Sequence, residues 1–466
     1  MTEVDVVVMA AGKGTRMKSR LPKVLHRLGG RALIQYVLDR AAGLKARQVV
    51  VITGHGADTV EAALTASAGE QGLAAPVFVR QEPQLGTGHA VLQAVPVLPD
   101  DGVTLVLNGD VPLIEGATLQ ALLDTCGGER LALLTVQMAD PTGYGRIVRQ
   151  GDAVSAIVEH KDASAAEREI REVYTGLMAA PTRLLKGWLA RLTDDNAQGE
   201  YYLTDIVRLA VQDGQAVAAI ATDDAVQVDG VNSPVQLAAL ERAFQWRQAT
   251  ALMEQGVRLA DPARFDLRGQ LACGQDVEID VSCVFEGAVT LGDGVRIGPH
   301  CFIANARIDA GAVIQAFTHI EGEQAGVHVG AGALVGPYAR LRPGAELGPE
   351  VHIGNFVEVK NSRLARGAKA NHLAYLGDAT VGERVNYGAG SITANYDGAN
   401  KHRTVIEDDV HIGSNSVLVA PLTIGRGGTV GGGSTITKDT PPGGLTVARG
   451  KQVRIANWQR PKKPGQ

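Results

Sequence analysis

The sequence predicts an α/β protein in two parts: a mostly parallel sheet with helices on both faces, then a parallel β-helix of hexapeptide repeats. Two observations carry this. In the first half, short β-branched runs alternate with helical segments, the pattern of a parallel sheet wrapped by helices. In the second half an aliphatic residue recurs every six positions. Phe285, Leu291, Ile297 and Ile303 form one run; Val329, Val335, Leu341, Leu347, Ile353 and Val359 a second; Ile406, Ile412, Leu418, Ile424, Val430 and Ile436 a third. A fixed short period signals a solenoid, and each hexad supplies one strand and one corner. Three flat sides close a coil, the aliphatic residue points inward, and backbone groups pair with the coils above and below.

A chain of 466 residues is too long for one ordinary core. The limits read here are 1–232 for the α/β domain, 233–256 for a linking helix, 257–448 for the β-helix and 449–466 for a tail. Net charge is −5, with no long basic run before the tail, so a nucleic-acid surface is not indicated. No apolar stretch approaches membrane-spanning length, and the start lacks the basic region of a signal peptide. The four cysteines show no CxxC spacing, which fits reduced thiols and a cytoplasmic location. Cys273, Cys283 and Cys301 fall near the start of the repeats and read as small apolar packing.

The first strand expected is Val4 to Met9, and it runs into Ala10-Ala11-Gly12-Lys13-Gly14-Thr15-Arg16-Met17. A buried strand followed by a glycine loop is where α/β folds bind phosphates. This loop is neither a P-loop, which needs Lys-Ser/Thr after its last glycine, nor a dinucleotide fingerprint, whose third small residue is here Met17. Two readings remain. Lys13, Arg16 and Lys23 neutralise a bound phosphate, or the stretch is a surface turn with solvated basic residues. Gln48 to Thr53, Val77 to Arg80 and Val103 to Leu107 read as further strands, with their following loops on one edge of the sheet. Asp110, past the end of the fourth, suits either a Mg²⁺ ligand or an Asx-turn.

Ser233-Pro234 reads as an N-cap and first helical residue; Leu237, Leu240, Phe244 and Leu252 make one apolar face, and Gly256 is a stop. Trp246 and Arg247 mark an interface or ordinary packing. Beyond it the hexad rhythm breaks between Ile320 and Val329, and again from Asn395 to Thr404. Insertions at solenoid corners often build the binding face. Near the second break stand Arg342, Glu358, Lys360, His372, Tyr375, Asn386, Asn395, Tyr396 and Lys401, either ordinary outward-facing residues or a site. The tail, with three prolines or glycines among its last six residues, reads as disordered.

Taken together, AAGKGTRM, Leu21-Pro22-Lys23-Val24-Leu25, QLGTGHA, NGDVPL, DPTGYGRI, VEHKDA, QGEYYLTD and DGVN resemble the sugar-phosphate nucleotidyltransferases. With LRPGA, GNFVEVK, NHLAYLGD and NYDGANK, nearly the whole chain resembles the bifunctional family of UDP-N-acetylglucosamine synthesis. That family joins N-acetylglucosamine-1-phosphate uridyltransferase to glucosamine-1-phosphate acetyltransferase. The resemblance implies a Rossmann-like first domain and a left-handed β-helix. It implies UTP, N-acetylglucosamine 1-phosphate, glucosamine 1-phosphate and acetyl-CoA as substrates, Mg²⁺ as cofactor, and a homotrimer with acetyl sites between subunits.

Carried over by motif, Met9, Ala10, Ala11, Gly12, Asn108 and Gly109 would line the nucleotide, and Gln81, Gly86 and Thr87 would read the uracil. Gly145, Glu159 and Tyr174 would contact the sugar, Tyr174 standing where the family usually has Asn. Asp110 and Asn232 would hold Mg²⁺, with Arg16 and Lys23 on the departing pyrophosphate. In the second half His372 is the implied base, because a protonated amine must lose a proton before attacking a thioester and imidazole suits that task. Glu358 or Asn395 would orient the base or the amine. Arg342, Lys360, Tyr375 and Asn386 would bind the sugar phosphate. Ala389, Asn395, Tyr396, Ser414, Gly432 and Arg449 would meet acetyl-CoA, Gly432 standing where alanine is commoner. A narrower alternative keeps only the nucleotidyltransferase and makes the β-helix a regulatory or trimerising module.

Overall fold

Val4–Met9 (β1) is buried along Val6, Val7 and Val8, the mark of a strand covered on both faces. Its one charge, Asp5, is fully buried and is met by two hydrogen bonds from Arg47, at 2.6 and 3.0 Å. In this computed structural model, which describes residues 3–70 and 76–461, the chain divides between Phe244 and Gln245 into two compact units.

The first unit is built on a nine-stranded sheet. Its strands are β1, Gln48–Thr53 (β2), Val77–Arg80 (β3), Val103–Asn108 (β4), Leu131–Gln137 (β5), Arg146–Gln150 (β6), Ala153–Val158 (β7), Glu172–Pro181 (β8) and Val217–Thr222 (β9). The main order is β9-β5-β8-β4-β1-β2-β3, and the β6–β7 hairpin joins through β8. The strands read from the sequence pair in parallel register, Val7 with Val50 and with Val106. Strand β8 runs antiparallel between β4 and β5, which a simple alternation of strands and helices does not foretell. Apolar clusters cover both faces of the sheet, one around Ile34, Val37, Leu119 and Leu122, the other around Val91, Leu185, Trp188 and Ile206.

Pro234–Glu254 forms one helix, with the Ser233 hydroxyl accepting from the Gln236 amide at its start. Leu237, Leu240 and Phe244 pack with Leu28, Leu33 and Tyr36 of the first unit. Ala249 and Leu252 belong to the core of the second, and the buried Gln245 side chain pairs with both backbone groups of Leu267. The division between units therefore falls inside the helix, whereas the sequence reading made the helix a separate linker.

The second unit is the left-handed parallel β-helix. Every residue of the three hexad runs is buried in one continuous core. The rhythm also continues where the sequence reading lost it. Leu364, Ala370, Leu376, Val381 and Tyr387 carry the inward column from Val359 toward Ile406. Two sides have five residues instead of six, and a residue at positive φ, Asn361 or Asp378, turns each shortened corner. Cys283 and Cys301 are buried, Cys273 is half-buried, and all are free thiols. Residues 449–461 form no strand or helix and are exposed; the tail expectation for 462–466 falls outside the described residues.

Stacking leaves no room for extra atoms between coils. A methyl group at Gly354 would lie 1.9 Å from the Asn371 carbonyl of the next coil. Gly354→Ala is expected to destabilise the second unit by about 1–3 kcal/mol, the usual cost of overpacking. Denaturant unfolding of that unit checks this, and an unmoved midpoint would contradict tight stacking at this rung.

Candidate functional site

In the first unit, backbone hydrogen bonds tie the loops at the strand ends to one another. The Ala10 amide donates to Ile52, Gly109 to Met9, His55 to Ala11 and Gln81 to Thr53. The loops after β1, β3 and β4 wall a cavity of about 510 Å³. Met9, Ala10, Ala11, Gly12, Arg16, Lys23, Gln81, Gly86, Thr87, Asn108, Asp110 and Asn232 all line it, as does Glu200, which the sequence reading left without a role. Gly109 does not line it. Gln81 is buried and donates from Nε2 to the Gly86 carbonyl at 2.9 Å. Gly86 has φ +108°, and a side chain there would strike the Tyr201 carbonyl.

At one end of the cavity the Lys23 ammonium lies between two oxygens. It is paired with Asp110 Oδ2 and donates to Asn232 Oδ1 at 3.1 Å. The two residues, 122 positions apart by number, thus converge on one cationic atom. Asp110 is not spent on an Asx-turn.

Gly145, Glu159 and Tyr174 do not line that cavity but lie together. The Tyr174 amide donates to the Gly145 carbonyl at 2.9 Å, and Glu159 faces Gly145. The Thr204 hydroxyl donates to Glu159 at 3.0 Å. Burial pushes the Glu159 carboxyl above its ordinary range, aided by Asp162 and Asp205 and opposed by the Thr204 bond. The Tyr174 ring is buried and its hydroxyl has no partner among the described residues; burial, with Glu159 nearby, holds that phenol well above the usual range, so it stays a donor. The QGEYYLTD stretch links the two groups. Its Tyr201 carbonyl accepts from Gly88, its Leu203 amide donates to Thr87 Oγ1, and its Thr204 reaches Glu159.

On the β-helix, Arg342, Glu358, Lys360 and Tyr375 stand on successive rungs of one side. Arg342 bonds Glu358 at 2.9 Å. Lys360 and Lys401 lie side by side, with Arg342 adding its charge. The Lys401 neighbour, and then burial, lower the Lys360 pKa. Asp378 is buried and accepts from Asn361 at 2.5 Å and from Asn395. Tyr396 and Lys401 pair across the inserted loop.

His372 is exposed, around the corner from Tyr375, at the end of the strand Lys369–His372. Its Nδ1 lies 2.9 Å from Asn355 Oδ1. The side chain that meets His372 is thus Asn355, while Glu358 is held by Arg342 and the Asn395 amide donates to Asp378. The two residues are 17 apart, the length of one coil with a shortened side, and that spacing is the signal that could have found Asn355. Asn386 pairs instead with Lys369, at the far end of the same strand. Three residues at strand rise put it roughly 10 Å from His372. Ser414, Gly432 and Arg449 do come together: Gly433 donates to the Ser414 carbonyl and Arg449 to the Gly432 carbonyl, each at 2.8 Å. The Ala389 carbonyl accepts from Asn415. A methyl group at Gly432 would meet the Ser414 carbonyl at 3.3 Å, a tight contact with no positive-φ strain to add to it.

The strand-end cavity and the coiled prism define a class, a nucleotidyltransferase domain followed by a hexapeptide-repeat transferase domain. Residues 6–198 match the MobA-like NTP transferase domain, and residues 326–361 and 403–438 match the six-repeat bacterial transferase hexapeptide. The chain is 73% identical over 464 residues to the bifunctional protein GlmU of Albidiferax ferrireducens, covering 99% of this chain and 100% of that one. It is 75% identical to that of Polaromonas naphthalenivorans and 57% identical to that of Bordetella parapertussis, with 99% of each chain covered in both cases. The chain belongs to the bifunctional GlmU family.

The paired lysines give a titration with a definite sign. A lowered pKa means that Lys360 loses its charge at lower pH than an ordinary lysine. Its ¹³C-methyl resonance after reductive methylation is expected to titrate below the usual lysine midpoint and to move up in Lys401→Met. Equal midpoints in both proteins would show that the two ammonium groups do not interact.

Proposed function

We propose that this polypeptide performs two successive group transfers. Acetyl passes from acetyl-CoA to glucosamine 1-phosphate on the β-helix. Uridylyl then passes from UTP to the resulting N-acetylglucosamine 1-phosphate in the strand-end cavity, and pyrophosphate leaves. Membership of the bifunctional family carries the two activities. The convergence of Lys23, Asp110 and Asn232 on one point is the observation that carries the uridylyl centre.

In that centre the attacking sugar-phosphate oxygen is already anionic, so no protein base is needed. Attack in line forms the new P–O bond at the α-phosphorus as the bond to pyrophosphate breaks. The chain supplies positioning and charge neutralisation. Ala10, Ala11 and Gly12 cradle the nucleotide; Gln81, Gly86 and Thr87 read the uracil; Gly145, Glu159 and Tyr174 take the sugar. Arg16 and Lys23 offset charge on the leaving group. Asp110 and Asn232 fit Mg²⁺, because two hard oxygens already converge where a cation sits and the remaining ligands are left to phosphates and water. When bound, the ion supplies neutralisation of phosphate charge.

In the second centre, Nδ1 of His372 donates to Asn355, which leaves the lone pair on Nε2 to take a proton from the amine. The freed amine attacks the thioester carbon, and coenzyme A leaves as the thiol. Arg342, Lys360 and Lys401 form the phosphate end of the site, with Tyr375 beside them. Ser414, Gly432 and Arg449 form the coenzyme end. The hexapeptide repeats support a homotrimer in which a second copy completes each acetyl cleft. Four free cysteines suit a reducing cytoplasm. Among the described residues no helix is long and apolar enough to cross a membrane.

Assays with glucosamine 1-phosphate, acetyl-CoA and UTP, omitting each cosubstrate in turn, test the scheme. Asp110→Asn and Lys23→Ala are each expected to lower uridylyl transfer by about 10²-fold or more while thiol release from acetyl-CoA continues. His372→Ala is expected to lower acetyl transfer by roughly 10²–10⁴-fold and to spare uridylyl transfer. Parallel loss of both activities in folded protein, or acetyl transfer by a His372→Ala enzyme at the normal rate, would refute the two-centre scheme.

A further inference from the structure

Arg146, the first residue of β6, is 1% exposed, among the largest fully buried side chains of the molecule. Among the described residues no carboxylate lies within ion-pair distance of it. Asp140 feels it only through space, less strongly than it feels Thr142. Burying a cation without a counterion is expensive, and arginine cannot escape by giving up its proton. The guanidinium donates instead to the Tyr144 carbonyl, to His160 Nδ1 at 3.2 Å and to the Arg168 carbonyl at 3.5 Å, while its Nε is buried with no partner among the described residues. A guanidinium only donates, so His160 Nδ1 accepts and the ring proton stands on Nε2.

These acceptors share a location. Tyr144 precedes Gly145 in the chain, and His160 follows Glu159. Arg168 ends the short helix Ala165–Arg168, reached through a turn whose Asp162 and Ala163 amides donate to the Glu159 carbonyl. Gly145 and Glu159 lie side by side at the open end of the β6–β7 hairpin, just beyond the pairing of Arg146 Cα with Val158. We propose that Arg146 is the positioning residue of the sugar subsite, holding the Gly145 backbone and the Glu159 carboxylate at a set separation before the sugar phosphate arrives. This rests on the reading of Gly145 and Glu159 as sugar contacts. A side chain kept only to fill space would be replaced without loss by methionine; one kept for its donors would not.

The test uses the full chain and the uridylyl assay, with KM measured separately for N-acetylglucosamine 1-phosphate and for UTP. Arg146→Met is expected to raise KM for the sugar phosphate about 10-fold or more and to leave KM for UTP within about 2-fold, since only one substrate's contacts are misplaced. Arg146→Lys, which keeps a donor, recovers part of the loss. His160→Gln, which offers an amide oxygen, stays near the parent, whereas His160→Lys sets a cation against a cation and behaves like Arg146→Met. A rise in both KM values together, or a His160→Lys enzyme with normal sugar-phosphate KM, overturns the proposal. Glu159→Gln measured alongside separates the two possible failures. If it raises the sugar-phosphate KM and folded Arg146→Met does not, the positioning role alone falls; if neither moves it, the subsite reading falls and the proposal with it.

Discussion

Register between neighbouring coils is the constraint on which the second unit depends. Each coil must present an inward aliphatic side chain above its equivalent and a backbone N–H or C=O to the coil on either side. A rung displaced by one residue would turn a Val or Ile outward and leave its polar backbone unpaired in the core. That demand explains why the five-residue sides at Asn361 and Asp378 keep the column intact. The missing residue is taken from the corner, where positive φ tightens the turn, and never from the strand. It also explains where variation is allowed. The long insertion at Asn395–Thr404 leaves the stack, forms its own Tyr396–Lys401 bridge and returns to Thr404 in register with Ala379.

The same rigidity makes the proposed acetyl centre possible. Successive rungs are one strand spacing apart, so side chains one coil apart in sequence become neighbours in space. His372 over Asn355, Arg342 beside Glu358, and Asn361 with Asn395 around Asp378 are all products of that translation. The cost is electrostatic. Lys360 is held beside Lys401, and its lowered pKa records the penalty on its charge, which a bound anion would relieve.

The first unit solves a different problem, how to gather charges from distant parts of a chain at the end of a sheet. Parallel strands place their following loops on one edge, and the bonds among Ala10, Ile52, Met9 and Gly109 hold the loops there. Lys23, Asp110 and Asn232 come from three such segments. The residues proposed as sugar contacts stand beside the β6–β7 hairpin, Gly145 before it and Glu159 after it, and on β8, where Tyr174 lies; the QGEYYLTD stretch ties them to the strand-end cavity through its bonds to Thr87 and Glu159.

Much of this was legible in the sequence, because periodicity and loop chemistry are local. The hexad column from Phe285 to Ile436, the strand from Val4 to Met9 with its glycine loop, and the helix begun by Ser233-Pro234 each follow from residues near one another. So does the choice of lining residues in the strand-end cavity, once the motifs are recognised together. What local pattern could not show is pairing. The antiparallel course of β8, the boundary inside the helix at Phe244, the partnership of His372 with Asn355 and the burial of Arg146 with no carboxylate beside it among the described residues were decided only by the tertiary structure. The physical reason is that hydrogen bonds and burial depend on which segments meet across the fold, and the residues that meet there are separated by a coil, a hairpin or half a domain of intervening chain.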